Sequence, residues 1–184
     1  MIFTLTDQDR LVLLQTAREA ISAALSRRAP VYPEPTPALA CPCGAFVTLK
    51  KRGQLRGCIG HVTAERQLGE TVKEVAVASA FEDPRFTPLS AEELPSVRIE
   101  ISVLSPLEAI TDPDRIVVGV HGIKIRRGPC AGLLLPQVAT EQGWDRETFL
   151  RHTCLKAGLP SDAWTDPATQ IEIFSAIVFG EIAR

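Results

Sequence analysis

Ala45-Phe46-Val47-Thr48-Leu49-Lys50-Lys51-Arg52-Gly53-Gln54-Leu55-Arg56-Gly57-Cys58-Ile59-Gly60 is the stretch on which the fold class turns. Ala45 to Lys50 alternates as a half-buried strand does. Arg52-Gly53 supplies a turn, and Leu55 to Gly60 returns as a second strand, which predicts a β-hairpin. Strict alternation places Arg56, Cys58 and Gly60 on one face, and Leu55, Gly57 and Ile59 on the other. Two glycines weaken a strand, so a close approach by another backbone or by a ligand is expected here.

Upstream, Thr6 to about Arg28 reads as a helix. Thr6 is its N-cap, Asp7 and Asp9 sit in its first turn, and Arg27 and Arg28 suit its C-terminal end. Leu11, Leu14, Ala17, Ile21, Ala24 and Leu25 give one apolar stripe. Pro30, Pro33, Pro35, Pro37 and Pro42 then predict a helix-free crossing over the surface. Downstream, a second helix is expected over roughly Ala64 to Ala80, with Leu68, Val72, Val75, Ala76 and Ala80 inward, and Pro84 beyond its end. Ser90 to Leu94 has capping-box spacing and predicts a short helical turn.

The clearest strand is Val97 to Val103, with Val97, Ile99, Ile101 and Val103 facing one way and Arg98, Glu100 and Ser102 the other. Further strands are expected at Ile116–Val120, Gly122–Arg126, Gly132–Leu135 and across Ile171 to Phe179. Pro136 opens a short helix. Asp145 caps another that runs to about Ala157 and ends at Gly158. This order suits an α+β (mixed α/β) fold, a mostly antiparallel sheet flanked by helices, better than a regular βαβ array.

The chain has 184 residues, enough for one domain, with two lobes allowed. Aromatics are only 5%, so aliphatic side chains must fill the core. The net charge of −2, without a basic stripe interleaved with aromatics, argues against nucleic acid as a partner. Lys50-Lys51-Arg52 with Arg56 reads as a solvated hairpin tip. No segment approaches membrane-span length, and Met1-Ile2-Phe3-Thr4 does not open a signal peptide, so no membrane role is expected. Five cysteines, an odd count, argue for free thiols in a reducing, cytoplasmic compartment. The pairing most at risk in air is Cys41 or Cys43 with Cys58.

Cys58 has two readings. A guanidinium from Arg56 on the same face would favour its thiolate, with His61 at the strand end as base or donor. Alternatively Cys58 is a buried structural cysteine in a glycine-packed strand. Gly57, Gly60, Asp83, Arg85, Glu100 and His121 are candidate ligand-binding positions. For Asp83 and Arg85 the competing role is fixing a loop, and His121-Gly122 also reads as a turn. Cys41-Pro42-Cys43 with Cys58 would give three thiols, but zinc needs a fourth ligand at recognisable spacing, so no metal is assigned. Cys154 reads as core and His152 as solvated. Nucleophile-elbow, Walker, dinucleotide and H-E-x-x-H motifs do not occur, and no cofactor is expected.

Leu55-Arg56-Gly57-Cys58-Ile59-Gly60 resembles the hallmark hexapeptide of the AMMECR-type domain family. The resemblance continues in order through Asp83-Pro84-Arg85-Phe86, Ile99 to Leu104, Gly119-Val120-His121-Gly122-Ile123, Gly132 to Val138 with Trp144, and Lys156-Ala157-Gly158-Leu159. It covers nearly the whole chain. It implies a mixed α/β fold with a larger and a smaller lobe. It also implies a place in the AmmeMemoRadiSam system, as its protein A, beside a Memo-like protein and a radical SAM protein. It carries over no catalytic residue. Two functions follow: a binding or scaffold component working with those partners, or a small enzyme or enzyme subunit using Cys58 beside Arg56 in a cleft.

Overall fold

The computed structural model describes residues 4–63 and 65–182. The expectations for Met1 to Phe3 and for a helix starting at Ala64 fall outside the described residues. The elements, in order, are α1 (Asp7–Ser26), β1 (Ala45–Lys51), β2 (Gln54–His61), α2 (Leu68–Phe81), β3 (Val97–Leu104), β4 (Glu108–Ile110), β5 (His121–Arg127), β6 (Cys130–Leu134), α3 (Pro136–Gln142), α4 (Arg146–Lys156) and β7 (Gln170–Gly180). The β1–β2, β1–β3, β4–β7, β5–β6 and β5–β7 pairings are all antiparallel. This is the α+β class expected from the sequence. The chain divides into two compact units, one running to Leu104 and resuming at Ile177, the other spanning Ser105–Ala176.

In the first unit, β1 lies between β2 and β3, with the end of β7 beside β3. Ala45, Val47 and Leu49 share a face with their β3 partners Val103, Ile101 and Ile99, and all six are fully buried against the helical layer. Leu68, Val72, Val75 and Ala76 of α2 are fully buried too, as the spacing requires. A buried aliphatic side chain of this size contributes about 1.5–3 kcal/mol. Residues 65–67 are not helical, so α2 begins later than the sequence suggests.

Thr6 caps α1 as expected, and Asp9 completes a capping box by accepting the Thr6 backbone N–H at 2.8 Å. Asp9 also accepts from the Thr36 hydroxyl and is buried. That anchor turns the helix relative to the stripe expected from apolar residues alone. The buried face is Val12, Leu13, Thr16, Ala17, Ala20 and Ile21, while Leu11 and Ala24 point to solvent. The proline crossing contains one 3-10 turn, Pro37–Ala40, which sets Leu39 into the core. The capping-box turn at Ser90 is short and gives way to a 3-10 turn at Leu94–Ser96.

In the second unit, Ile123, Ile125, Phe149, Leu150 and Cys154 form the buried centre, and Asp145 caps α4 by accepting the Thr148 N–H at 2.8 Å. Ile116–Val120 is not a strand. Asp112 caps a 3-10 turn at Pro113–Arg115, then Val117 O accepts the N–H groups of Val120 and His121, and Gly119 takes φ +84°. The strand found instead is β4, only three residues long and paired with Ile171–Ile173. His152 is exposed, as expected, but its ring is stacked on Trp144 at 3.9 Å. Phe174 lies directly over its register partner Gly122, where a Cβ would come within 2.3 Å of the ring.

Candidate functional site

The hexapeptide lies on β2, an edge strand. Arg52 and Gly53 both take positive φ, 53° and 79°, as a two-residue hairpin turn matched to strand twist requires. The ladder pairs Leu49 with Gly57 but Lys50 with Leu55, so Arg56 is the extra residue of a bulge. Alternation therefore fails at Arg56. Its side chain joins Lys51 on the Glu93 carboxylate, with Arg56 Nη2 at 3.0 Å and Lys51 Nζ at 2.7 Å. The Arg56 guanidinium also sits 5.9 Å from the centre of the Phe86 ring. The expected partnership of Arg56 with the Cys58 thiol is replaced by this ion pair. Arg56, then Lys51, hold the Glu93 carboxyl down at about 2.

Cys58 sits on the sheet face opposite the helices. Its register partner is Thr48, whose partner on the far side is Glu100, so the three form one row across β2, β1 and β3. The Thr48 hydroxyl donates to Cys58 Sγ at 3.3 Å, and Lys50 Nζ donates to Glu100 at 2.8 Å. Cys58, Thr48 and Glu100 are each partly exposed.

The backbone of Cys58 faces outward from the edge, and the Asp-Pro-Arg loop captures it. Asp83 accepts the Cys58 N–H at 2.9 Å, and Arg85 Nη2 donates to the Cys58 carbonyl at 3.4 Å. Arg85 also clamps Asp83 through Nε at 2.9 Å and Nη2 at 2.7 Å. The Arg85 guanidinium holds the Asp83 carboxyl well below the usual carboxylate range, against the opposing effect of burial. Asp83 and Arg85 thus substitute for a neighbouring strand at an otherwise open edge.

Both hexapeptide glycines are explained by close neighbours within the chain. A Cβ on Gly57 would lie 2.1 Å from the Ser79 carbonyl oxygen, because α2 presses onto the strand there. The Ser79 hydroxyl accepts the Ile59 N–H at 2.9 Å and donates to the Val47 carbonyl at 2.8 Å, stitching two register partners together. Gly60 lies under the Phe46 ring, where a Cβ would come within 2.3 Å.

His61 is not brought to Cys58. It pairs with Ala45, on the helix side, and its Nε2 lies 3.3 Å from Glu74 Oε1 on α2. His121 belongs to the second unit, where its Nδ1 accepts the Val117 N–H at 3.1 Å. The basic run is not simply a solvated tip, since Lys50, Lys51 and Arg56 all hold carboxylates. Sequence reasoning missed Glu93 and Ser79. The first was read only as the partner of Ser90 in a capping box, and the second as one more residue along α2. A groove of about 400 Å³ in the first unit, lined by Thr16, Tyr32, Leu39, Gly69 and Lys73, lies away from Arg56 and Cys58. Among the described residues, no group of three or more His, Cys, Asp and Glu side chains could hold a metal ion, and no helix is long and apolar enough to cross a membrane.

The AMMECR1 family model matches residues 14–179. Protein MK0488 of Methanopyrus kandleri is 43% identical over 187 residues, covering 96% of this chain and 90% of that protein. A protein of Methanothermobacter thermautotrophicus is 49% identical over 144 residues, 75% of each chain. The crystal structure of the uncharacterized protein PH0010 from Pyrococcus horikoshii superposes with a TM-score of 0.85 at 39% identity, covering 98% of this chain and 94% of that one.

Proposed function

The chain belongs to the AMMECR1 family, and from that premise we propose that it is a binding or scaffold component working with a Memo-like protein and a radical SAM protein in the cytoplasm. The observation that carries this reading is how the charged groups around the hexapeptide are committed. Arg56 holds Glu93, Asp83 holds the Cys58 backbone, Lys50 holds Glu100, and His61 faces Glu74 on the other side of the strand. Nucleophilic catalysis needs a base or a cation within reach of the thiol. Here the side-chain group bonded to Sγ is the neutral Thr48 hydroxyl. The same interactions make the strand rigid and its partly exposed row of Thr48, Cys58 and Glu100 well defined, which suits recognition by a partner.

The two partners come from the family resemblance of the motifs, and the test is direct. The tagged chain is mixed with separately purified Memo-like and radical SAM proteins and recovered. Co-recovery that weakens with Glu100→Gln or Cys58→Ser supports the proposal. No association with either protein, together with turnover abolished by Cys58→Ser, overturns it in favour of the enzyme reading. The partial exposure of Cys58 favours that second reading, in which a reactive Cys58 works on the open face with Glu100, while Arg85 reaches the Cys58 carbonyl.

A further inference from the structure

We propose that Cys41 and Cys43 form a reversible dithiol–disulfide site whose co-reactant is a low-molecular-weight disulfide. Their sulfurs are 3.8 Å apart, with Cys41 exposed and Cys43 buried. A disulfide needs about 2.05 Å, so closure asks for less than 2 Å of approach, within the reach of side-chain rotation. The backbone between them is fixed. The Cys41 carbonyl accepts the Leu68 N–H at 3.0 Å, and Pro42 bridges Gln67, so the segment is held against the first turn of α2. The two thiols are therefore held as neighbours.

This arrangement replaces the expected partnership with Cys58. Cys43 packs in the core with the helical layer, whereas Cys58 faces the opposite side of the sheet beside Thr48. The sheet separates the two sulfurs.

Exposure sets the order of events. The thiolate of Cys41 attacks one sulfur of the small disulfide, breaks its S–S bond and releases one thiolate, leaving a mixed disulfide on Cys41. Cys43 then loses its proton to the released thiolate, and its sulfur attacks Cys41 Sγ. The Cys41–Cys43 bond forms, the mixed disulfide breaks, and a second small thiolate leaves, taking up the proton originally on Cys41. Two protein thiols are oxidised and one small disulfide is reduced to two thiols. Burial pushes the Cys43 thiol up to about 12, which suits it to the second step rather than the first. The ring is small and one of its sulfurs is reachable, properties of labile rather than structural disulfides.

Trypsin cleavage after Arg28 and Lys50 gives a peptide, Ala29–Lys50, that contains Cys41 and Cys43 and no other cysteine. The reduced full chain is incubated with glutathione disulfide, quenched in acid, alkylated at its free thiols and digested. The expected product from the unaltered chain is this peptide without alkyl groups and lighter by two hydrogens than its dithiol form, appearing before oxidation at Cys58, Cys130 or Cys154. Cys43→Ser should stop at a glutathione adduct on Cys41, and Cys41→Ser should leave Cys43 reduced. A glutathione adduct on Cys41 that persists equally in the unaltered chain and in Cys43→Ser overturns the proposal. So does a cross-link from Ala29–Lys50 to the peptide carrying Cys58. The unaltered chain alone yields the decisive peptide, so poor folding of a variant leaves the test intact.

Discussion

Gly57→Ala tests the interlock between α2 and the hexapeptide strand with a single methyl group. The added Cβ would sit 2.1 Å from the Ser79 carbonyl oxygen, a backbone atom that cannot rotate away. Close carbon–oxygen contacts begin at about 3.3 Å, so helix and strand must separate by about 1.2 Å. Separation on that scale stretches both Ser79 hydroxyl bonds, now 2.9 and 2.8 Å, past useful range. Each buried group left without a partner costs about 1–3 kcal/mol. A gap of this size also forfeits a quarter or more of the dispersion attraction under Leu68, Val72 and Val75. The expected loss is about 3–5 kcal/mol, a large share of a typical domain's stability. Gly53→Ala is the control, since Gly53 has nothing within 4 Å and its φ of +79° makes the residue costly by only about 1–2 kcal/mol. Trp144 and Trp164 both lie in the second unit, so the first is followed by urea denaturation with circular dichroism and Tyr32 emission. A Gly57→Ala chain no less stable than Gly53→Ala would refute the interlock.

Three further outcomes are expected. Asp83→Ala removes the acceptor of the Cys58 N–H and should lower stability by about 2 kcal/mol. It should also raise light scattering on concentration as the β2 edge opens, and unchanged scattering would count against the edge-capping role of this loop. Glu93 has a folded value of about 2, below its ordinary 4.5, so its contribution is present above pH 4.5 and lost as pH falls from there through 2. Discounted for partial exposure the contribution is about 1 kcal/mol, and acid titration of Glu93→Gln should show a shallower loss over that window than the unaltered chain. Cys58 is partly exposed, so iodoacetamide should label it in the native state ahead of Cys154, and Cys58→Ser should keep its thermal midpoint. Negligible labelling with a lowered midpoint would return Cys58 to the core.

The hairpin, α2, β3 and the α4 cap were legible because each rests on local chemistry: alternation, helical spacing, a capping side chain. His61 was misassigned as a partner of the Cys58 thiol, although a strict period of two sets it on the opposite face of the strand. The side of Arg56 was not legible. One inserted residue opposite Leu49 and Lys50 reverses it, and a bulge leaves no signature in the alternation of apolar residues. The α1 stripe was misplaced because a buried Asp9, held by Thr6 and Thr36, outweighs the apolar side chain of Leu11. Ile116–Val120 has strand-like residues, but Asp112-Pro113 and Gly119 impose turns that propensity does not outweigh. Glu93 and Ser79 act through partners 37 and 20 positions away in the chain, distances at which one sequence carries no pairing signal.

The first unit is discontinuous, and that fixes an order of events during synthesis. Arg18 on α1 waits for Glu181, which its Nε reaches at 2.6 Å, while the Ile99 N–H and carbonyl are satisfied by the Glu181 side chain and N–H, both at 3.0 Å. None of these groups can find that partner until synthesis has passed Glu181. Ser105–Ala176, by contrast, is one contiguous run of the chain. The segment made first is thus the one finished last. Throughout translation its β3 edge stands open, so a nascent chain stalled before Ile177 would present that edge to any strand nearby.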